Sequence, residues 1–172
     1  MQSDRLLILS DGKPGHLNQS IAFARHLGYA YDICSVGFKS WLAKAASYLA
    51  DRFGLQIEQL VHLDSFAGSF RAVVSAGSET YYANKLLAKR LGAKSVAIML
   101  PQGYRYDFDL IVAQQHDDPP DRPNLISLPI NLSYVEPQGL VMPVKGRKYA
   151  AVIVGGDSKQ GEMDPEVLRK QL

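Results

Sequence analysis

Short apolar runs, each followed by a glycine-marked turn and then a helical repeat, set the fold class of this chain. The first run, Leu6-Leu7-Ile8-Leu9, leads directly into Ser10-Asp11-Gly12-Lys13-Pro14-Gly15-His16. An unbroken apolar run of this kind suits a strand buried on both faces, as in a parallel sheet. Behind it, Leu17, Ile21, Ala24 and Leu27 recur at spacings of four, three and three, one helical face, and Gly28 ends that helix. The pattern then repeats. A strand is expected over 30–36, and a helix over 41–53 with Leu42, Ala46, Leu49 and Phe53 as its stripe. A strand at 72–75 runs into Ala76-Gly77-Ser78, and a helix over 79–91 stops at Gly92. Further strands are expected at 95–100, closed by Pro101, at 109–113 and at 125–128, while 56–69 holds at most a short helical piece.

Alternation of this kind means crossovers between parallel strands. The expected class is α/β: a Rossmann-like open parallel sheet with helices on both faces, occupying 1–128. Over 129–148 the residues Pro129, Pro137, Gly139, Pro143 and Gly146 break every period, so this stretch reads as a linker. A new strand at 149–154, the turn Gly155-Gly156-Asp157-Ser158 and a helix start at Asp164-Pro165 follow. One strand and one short helix bury no core of their own. Residues 149–172 are therefore expected to be the first β-α unit of a second, incomplete Rossmann-like domain, and an unfinished domain of this kind favours self-association through uncovered apolar surface.

Composition narrows the class of function. With 19 basic against 17 acidic residues the net charge is +2, without the basic excess of a nucleic-acid-binding domain. Cys34 is the single cysteine, so no intrachain disulfide can form; it lies in an apolar run as a small core residue. Cysteine spacing of the metal-binding type is absent, and neither a metal nor another cofactor is expected. The N-terminal Met-Gln-Ser-Asp-Arg lacks the apolar core of a signal peptide, and no run approaches the ~20 residues of a membrane helix. The expected location is cytoplasmic, with peripheral membrane contact left open.

In open α/β sheets ligands bind beyond the carboxyl ends of the strands. The first such loop is Ser10 to His16. Gly12 and Gly15 let backbone approach a ligand, Lys13 adds charge, and the helix N-terminus is expected to offer unpaired N–H groups to an anion. His16 suits a general base or a hydrogen-bond donor, and Asp11 stands with it as a catalytic candidate. Two familiar loops are excluded. The dinucleotide pattern needs three glycines at set spacing, and the ATPase phosphate loop needs Ser or Thr where Pro14 follows Gly12-Lys13.

Other turns share this edge. Ser78 and Glu79 in Gly77-Ser78-Glu79-Thr80 are accounted for by an N-cap and an acidic first turn, with ligand binding by Gly77 and Ser78 as the alternative. In Gln114-Gln115-His116-Asp117-Asp118, His116 beside two carboxylates reads either as a polarised base or as part of a solvated turn entering Pro119-Pro120. Tyr104-Arg105-Tyr106 suits stacking on a ring or simple cover of a sheet edge. Lys85, Lys89, Arg90 and Lys94 read as a solvated helix face, with anionic lipid as the alternative. His26 fits the dipole at a helix C-terminus.

Ser-Asp-Gly-Lys-Pro-Gly-His-Leu-Asn-Gln, residues 10 to 19, resembles the signature of the mitochondrial fission "elongated mitochondria" family, whose many bacterial members are glycosyltransferase-like proteins of the GT-B fold. Asp109-Leu110-Ile111-Val112, His116-Asp117, Asn124-Leu125 and Gly155-Gly156-Asp157-Ser158 agree in order. The sequence departs from the family where Leu17 stands in place of an acidic residue, Gln115 in place of Glu, and Ser78-Glu79 in place of a basic residue. The resemblance implies the N-terminal, acceptor-side domain of a GT-B enzyme that moves a sugar from a nucleotide-sugar to an unidentified acceptor, with a lipid-linked one among the options, without a bound metal. The loop is also similar to the Gly-Gly-His loop of the bacterial N-acetylglucosaminyltransferase that makes lipid II. By that analogy His16 deprotonates the acceptor hydroxyl or stabilises the departing diphosphate. Ser10, Gly12, Lys13, Gly15, Asn18 and Gln19 then line the acceptor side, and Gly155, Gly156 and Ser158 begin the donor side. With so little donor pocket, the polypeptide alone is expected to be inactive. A non-enzymatic scaffold on the same fold and a nucleotide-sugar epimerase are the competing readings.

Overall fold

The computed structural model describes residues 4–136, 139, 141–150, 166 and 169. The chain divides into two compact units, Met1–Glu136 and Pro137–Leu172. The expected turn Gly155-Gly156-Asp157-Ser158 and the helix start at Asp164 lie outside the described residues, as does the strand at 149–154 beyond Tyr149 and Ala150.

The first unit runs β1 (Arg5–Ser10), α1 (Pro14–His26), β2 (Ala30–Phe38), α2 (Trp41–Arg52), β3 (Val61–Leu63), β4 (Ala72–Ala76), α3 (Tyr81–Leu91), β5 (Lys94–Ile98), β6 (Leu110–Gln114) and β7 (Leu125–Leu128). These strands form one sheet in the order β3-β2-β1-β4-β5-β6-β7. Every neighbouring pair is parallel except β2 with the short β3. The α/β class and the open, mostly parallel sheet are as the sequence predicts. The antiparallel β3, entered through a 3-10 turn at Glu58–Leu60, occupies the stretch where no strand was expected.

Strand β1 lies inside the sheet, and Leu6 to Leu9 are all buried. Alternate side chains serve opposite layers, because successive residues of a strand point to opposite faces. Leu6 and Ile8 join Ala72, Val74, Val96 and Ile98 beneath Leu17, Ile21 and Ala24 of α1. Leu7 and Leu9 join Val73, Ala97 and Ile111 beneath Ala50 of α2 and Tyr81, Leu87 and Ala88 of α3. Each fully buried Leu or Ile stabilises the domain by about 2 kcal/mol. Asn84 of α3 keys that helix to the sheet: its Nδ2 lies 3.1 Å from the Val73 carbonyl, 2.9 Å from Ser75 Oγ and 3.0 Å from the Val96 carbonyl.

Helix α2 corrects the sequence reading. Leu42, Leu49 and Phe53 of the expected core stripe are 59%, 60% and 69% exposed, with Trp41 at 77%. The helix faces the core instead through Ala43, Ser47, Ala50 and Asp51. Small residues let the helix axis approach the sheet. Ser47 and Asp51 are satisfied there, Ser47 by the Tyr104 hydroxyl and Asp51 by Lys85 and the Arg105 amide. Hydrophobicity alone pointed to the wrong side. Leu27, expected on the inward face of α1, is likewise exposed just past the helix end.

The connections from β5 to β6 and from β6 to β7 hold no α-helix, only turns around Pro101 and a 3-10 turn at Gln115–Asp117. After β7 the chain lies back along α1. Ser133 O accepts a hydrogen bond from His26 Nε2 at 2.8 Å, Arg25 stacks over Tyr134 and pairs with Glu136, and Leu132 packs on the core.

Candidate functional site at the switch between β1 and β4

The chain leaves β1 for β2 on one side of the sheet and returns to β4 on the other, and α1 and α3 cover opposite faces. The crevice between the two loops leaving β1 and β4 is therefore the topological switch point, the preferred ligand position of open α/β sheets. One loop is Ser10 to His16; the other is Gly77 to Thr80.

In the first loop Gly12 has φ +79°, a left-handed conformation that glycine adopts without strain. It turns the chain so that α1 begins at Pro14 and carries His16 back over Asp11. His16 Nδ1 lies 2.9 Å from Asp11 Oδ2. The Asp11 side chain is only 2% exposed and that of His16 24%. Asp11 Oδ1 also accepts the Lys13 amide at 3.2 Å, and Lys13 Nζ lies 3.2 Å from Oδ2. Burial pushes the Asp11 carboxyl up, but the His16 hydrogen bond and the Lys13 amide and ammonium outweigh it and hold its pKa below the ordinary value. An ionised Asp11 accepts only, so Nδ1 carries a proton, and in the neutral form of the ring Nε2 is then the nitrogen with the lone pair. Among the described residues no group bonds that Nε2.

The second loop holds the imidazole from the other side. Gly77 has φ +87°, and a Cβ placed there would collide with Cε1 and Nδ1 of the His16 ring. The ring thus packs against a position that only glycine can fill. Ser78 is not the cap of α3, as the sequence suggested; Thr80 is the N-cap residue, and its hydroxyl donates back to the Ala76 and Gly77 carbonyls. The Ser78 hydroxyl is thereby left to the crevice, where Lys44 Nζ reaches it at 3.3 Å and also pairs with Glu79. A cation thus stands beside this turn, delivered by α2 rather than by the residue after Gly77. Lys44 was not singled out in the sequence, because nothing local marks a helix residue that reaches another loop. Beneath the turn, Tyr104 OH donates to the Ser78 carbonyl at 3.1 Å, and its ring packs on Tyr48 and Tyr81. Tyr104 is buried, so Tyr104-Arg105-Tyr106 is not the stacking platform it resembled.

His16, Gly77, Ser78, Tyr81, Met99 and Asp117 line a cleft of about 260 Å³ at this edge. Met99 has φ +73°, a conformation that costs a side-chain-bearing residue roughly 1 kcal/mol or more. Its amide donates to Val112 O at 2.8 Å, and its carbonyl accepts from Tyr81 OH at 3.2 Å. Burial pushes the Tyr81 phenol up, so it remains a donor through the physiological range.

The remaining sequence candidates are scattered around this centre. Ser10 Oγ accepts the Gly12 amide at 3.2 Å, and the His16 amide donates to Lys13 O. Of the amides expected to be free at the start of α1, Pro14 has none and only that of Gly15 lacks an acceptor among the described residues. The amides of Ser78 and Glu79 likewise donate to no described group, so two adjacent unpaired backbone donors stand at the second loop. Gln19 is buried, its Oε1 accepting from Gln114 Nε2 at 3.2 Å, which ties α1 to β6. Asn18 is exposed. His116 is exposed too, 3.8 Å from Asp117, and it is Asp117 that lines the cleft.

Two other hollows carry no comparable histidine–carboxylate pair. The groove of about 460 Å³ between α2 and Gly103–Arg105 holds Asp51 already paired. A polar hollow at the opposite edge surrounds Lys85, which is bonded to Asp51, Asp107 and the Arg105 carbonyl. Lys89, Arg90 and Lys94 are exposed, as a solvated face requires, and Arg90 pairs with Glu58 and Lys94 with Asp109. Among the described residues no helix is long and apolar enough to cross a membrane, and no three His, Cys, Asp or Glu converge as metal ligands.

The model of a protein family described as Mitochondrial fission ELM1 matches residues 14–172. The match begins at the first residue of α1 and so includes His16 and the Gly77 turn, with Asp11 and Gly12 ahead of it. No curated protein and no solved structure matches the chain.

Proposed function

This chain belongs to the mitochondrial fission ELM1 family, and from that membership together with the Asp11–His16 pair we propose that its first unit is the acceptor-side half of a GT-B-type sugar transferase. The observation that carries the reading is a histidine anchored through Nδ1 to a buried carboxylate, with Nε2 unbonded, at the switch point of the sheet. This is the arrangement a general base needs: the far nitrogen fixed, the near one free.

In the reaction the acceptor hydroxyl sits in the cleft beside His16. Nε2 takes its proton as the acceptor oxygen forms a bond to the anomeric carbon of the nucleotide-sugar. The bond from that carbon to the diphosphate oxygen breaks, and the nucleoside diphosphate leaves with the electron pair. Asp11 stabilises the imidazolium that forms. Lys44 and the amides of Ser78 and Glu79 supply positive potential at the same cleft. The donor is assigned to the second domain, which the sequence opens at 149 and to which Gly155, Gly156 and Ser158 belong. No cofactor enters this scheme.

The test is acceptor-dependent release of nucleoside diphosphate from UDP- and GDP-sugars by a form that carries a whole second domain, compared with the His16→Ala variant of that form. A loss of about a hundredfold or more is expected for loss of a general base. Turnover unchanged in His16→Ala would remove the base from the scheme and overturn the reading.

A further inference from the structure

The outward side of α2 takes no part in the core or the cleft. Trp41, Leu42, Leu49 and Phe53 stand on it in the open, and Leu55 and Ile57 continue the apolar strip past the helix end. Its inward side is already satisfied by Ala43, Ser47, Ala50 and Asp51. An exposed strip of this size on one helix marks a contact surface rather than scattered surface apolarity.

Charge identifies what covers it. The only acidic residue of α2, Asp51, points inward and is bonded to Lys85 and Arg105. The neighbouring carboxylates are taken as well: Glu79 by Lys44, Glu58 by Arg90, and Asp107 by Lys85 and Arg105. Lys39, just before the helix, and Arg52, in its last turn, are exposed and have no ion-pair partner among the described residues. A helix with Trp, Leu and Phe on one side, uncompensated cations at both ends and no free acid beside it has the pattern of a helix that lies in a lipid interface. A second copy of the chain fits less well. Paired antiparallel about a two-fold axis, α2 against α2 would set Arg52 beside a second Lys39, like charge against like.

We propose that the outward face of α2 seats this domain on an anionic lipid bilayer, with Trp41, Leu42, Leu49 and Phe53 entering the headgroup region and Lys39 and Arg52 meeting lipid phosphates. Lys44, on the same helix, reaches Ser78 at the cleft, so the seated domain holds its cleft close to the membrane surface. The docking goes beyond the sugar-transfer reading and does not rest on it.

Trp41 is the single tryptophan of the chain, so its emission reports this face directly. The full chain is mixed with phosphatidylcholine vesicles, with and without phosphatidylglycerol, and followed by tryptophan emission and co-sedimentation. A blue shift and co-sedimentation with the anionic vesicles, weakened by salt, are expected. Leu49→Glu and Phe53→Glu should each weaken binding roughly tenfold or more, and Arg52→Gln about fivefold, with thermal unfolding unchanged because these side chains are exposed. Lys89→Glu, on the outer surface of α3, should leave binding as it is. The proposal is overturned by an absence of binding to anionic vesicles at low salt, or by equal binding of Leu49→Glu. It is overturned equally if sedimentation shows a dimer that Leu49→Glu dissociates. No sugar transfer by a form that carries a whole second domain, with vesicle binding intact, would refute the transferase reading and leave this one standing.

Discussion

His16 Nδ1 stands 2.9 Å from Asp11 Oδ2, and the carboxylate that holds it is nearly closed to solvent. The pair is separated by five positions of one loop, yet its alignment is also limited from outside that loop, by Gly77 packed against Cε1 and Nδ1 of the ring. The chemistry assigned to His16 therefore depends on two turns that meet only in the folded sheet.

Replacing Asp11 with Asn keeps the shape and removes the charge. The amide can present its NH₂ to Nδ1, which favours the tautomer with the proton on Nε2 and takes away the lone pair. Transfer should fall about a hundredfold or more, with stability lowered far less. Nitrogen-15 spectra of the His16 ring distinguish the two tautomers, and an unchanged Nε2 signal in Asp11→Asn would separate Asp11 from the mechanism.

Gly77→Ala tests the contact from the other loop. A methyl group there collides with the His16 ring, and φ +87° strains any side-chain-bearing residue. Destabilisation of about 1–3 kcal/mol is expected, together with displacement of the imidazole from Asp11. Gly15→Ala is the control: a Cβ there meets nothing within 4 Å, so it should fold and melt close to the parent. Thermal melts of the two variants, side by side with the histidine ring spectra, decide the matter.

Acid should unfold the domain through Asp11 and Asp109 together. At Asp109 burial pushes the carboxyl up, but Lys94 and the amide and hydroxyl of Ser95 outweigh it and lower its pKa, as the His16 and Lys13 bonds do for Asp11. A carboxyl lowered in the folded state binds its proton more readily once unfolded. Its stabilisation is present above the ordinary value near 3.8 and is lost as the pH falls through the lowered folded value. Urea midpoints measured from neutrality downward should hold until about pH 5 and then drop. Asp109→Asn should start lower and show a shallower fall; an identical acid limb would show that this carboxyl does not contribute.

Six of the seven strands and their parallel pairing were legible because apolar runs and glycine turns are local signals. So was the loop from Ser10 to His16, and Cys34 is buried as expected, with burial pushing its thiol up. What was misread depends on distant groups. The α2 stripe was assigned inward since Leu42, Leu49 and Phe53 outweigh Ala43, Ser47 and Ala50 in hydrophobicity, whereas the sheet accepts the smaller set. Ser78 looked like a cap because Ser before a helix usually is one, yet Thr80 is the N-cap residue of α3 and its hydroxyl reaches back to the two preceding carbonyls. Of the two readings left open for His116, its exposure fits the solvated turn, and Asp117 is the residue that lines the cleft. Lys44 and the ring-supporting role of Gly77 join residues more than thirty and sixty positions apart, and no spacing rule reaches that far.

The stretch after β7 acts as a belt. Ser133, Tyr134 and Glu136 fasten the far end of α1 through His26 and Arg25, and Leu132 plugs the layer beneath. That helix has the candidate base at its other end. Trimming the polypeptide at residue 128 would unbuckle the belt and loosen the lever that carries His16, so the shortest piece worth expressing on its own runs to Glu136.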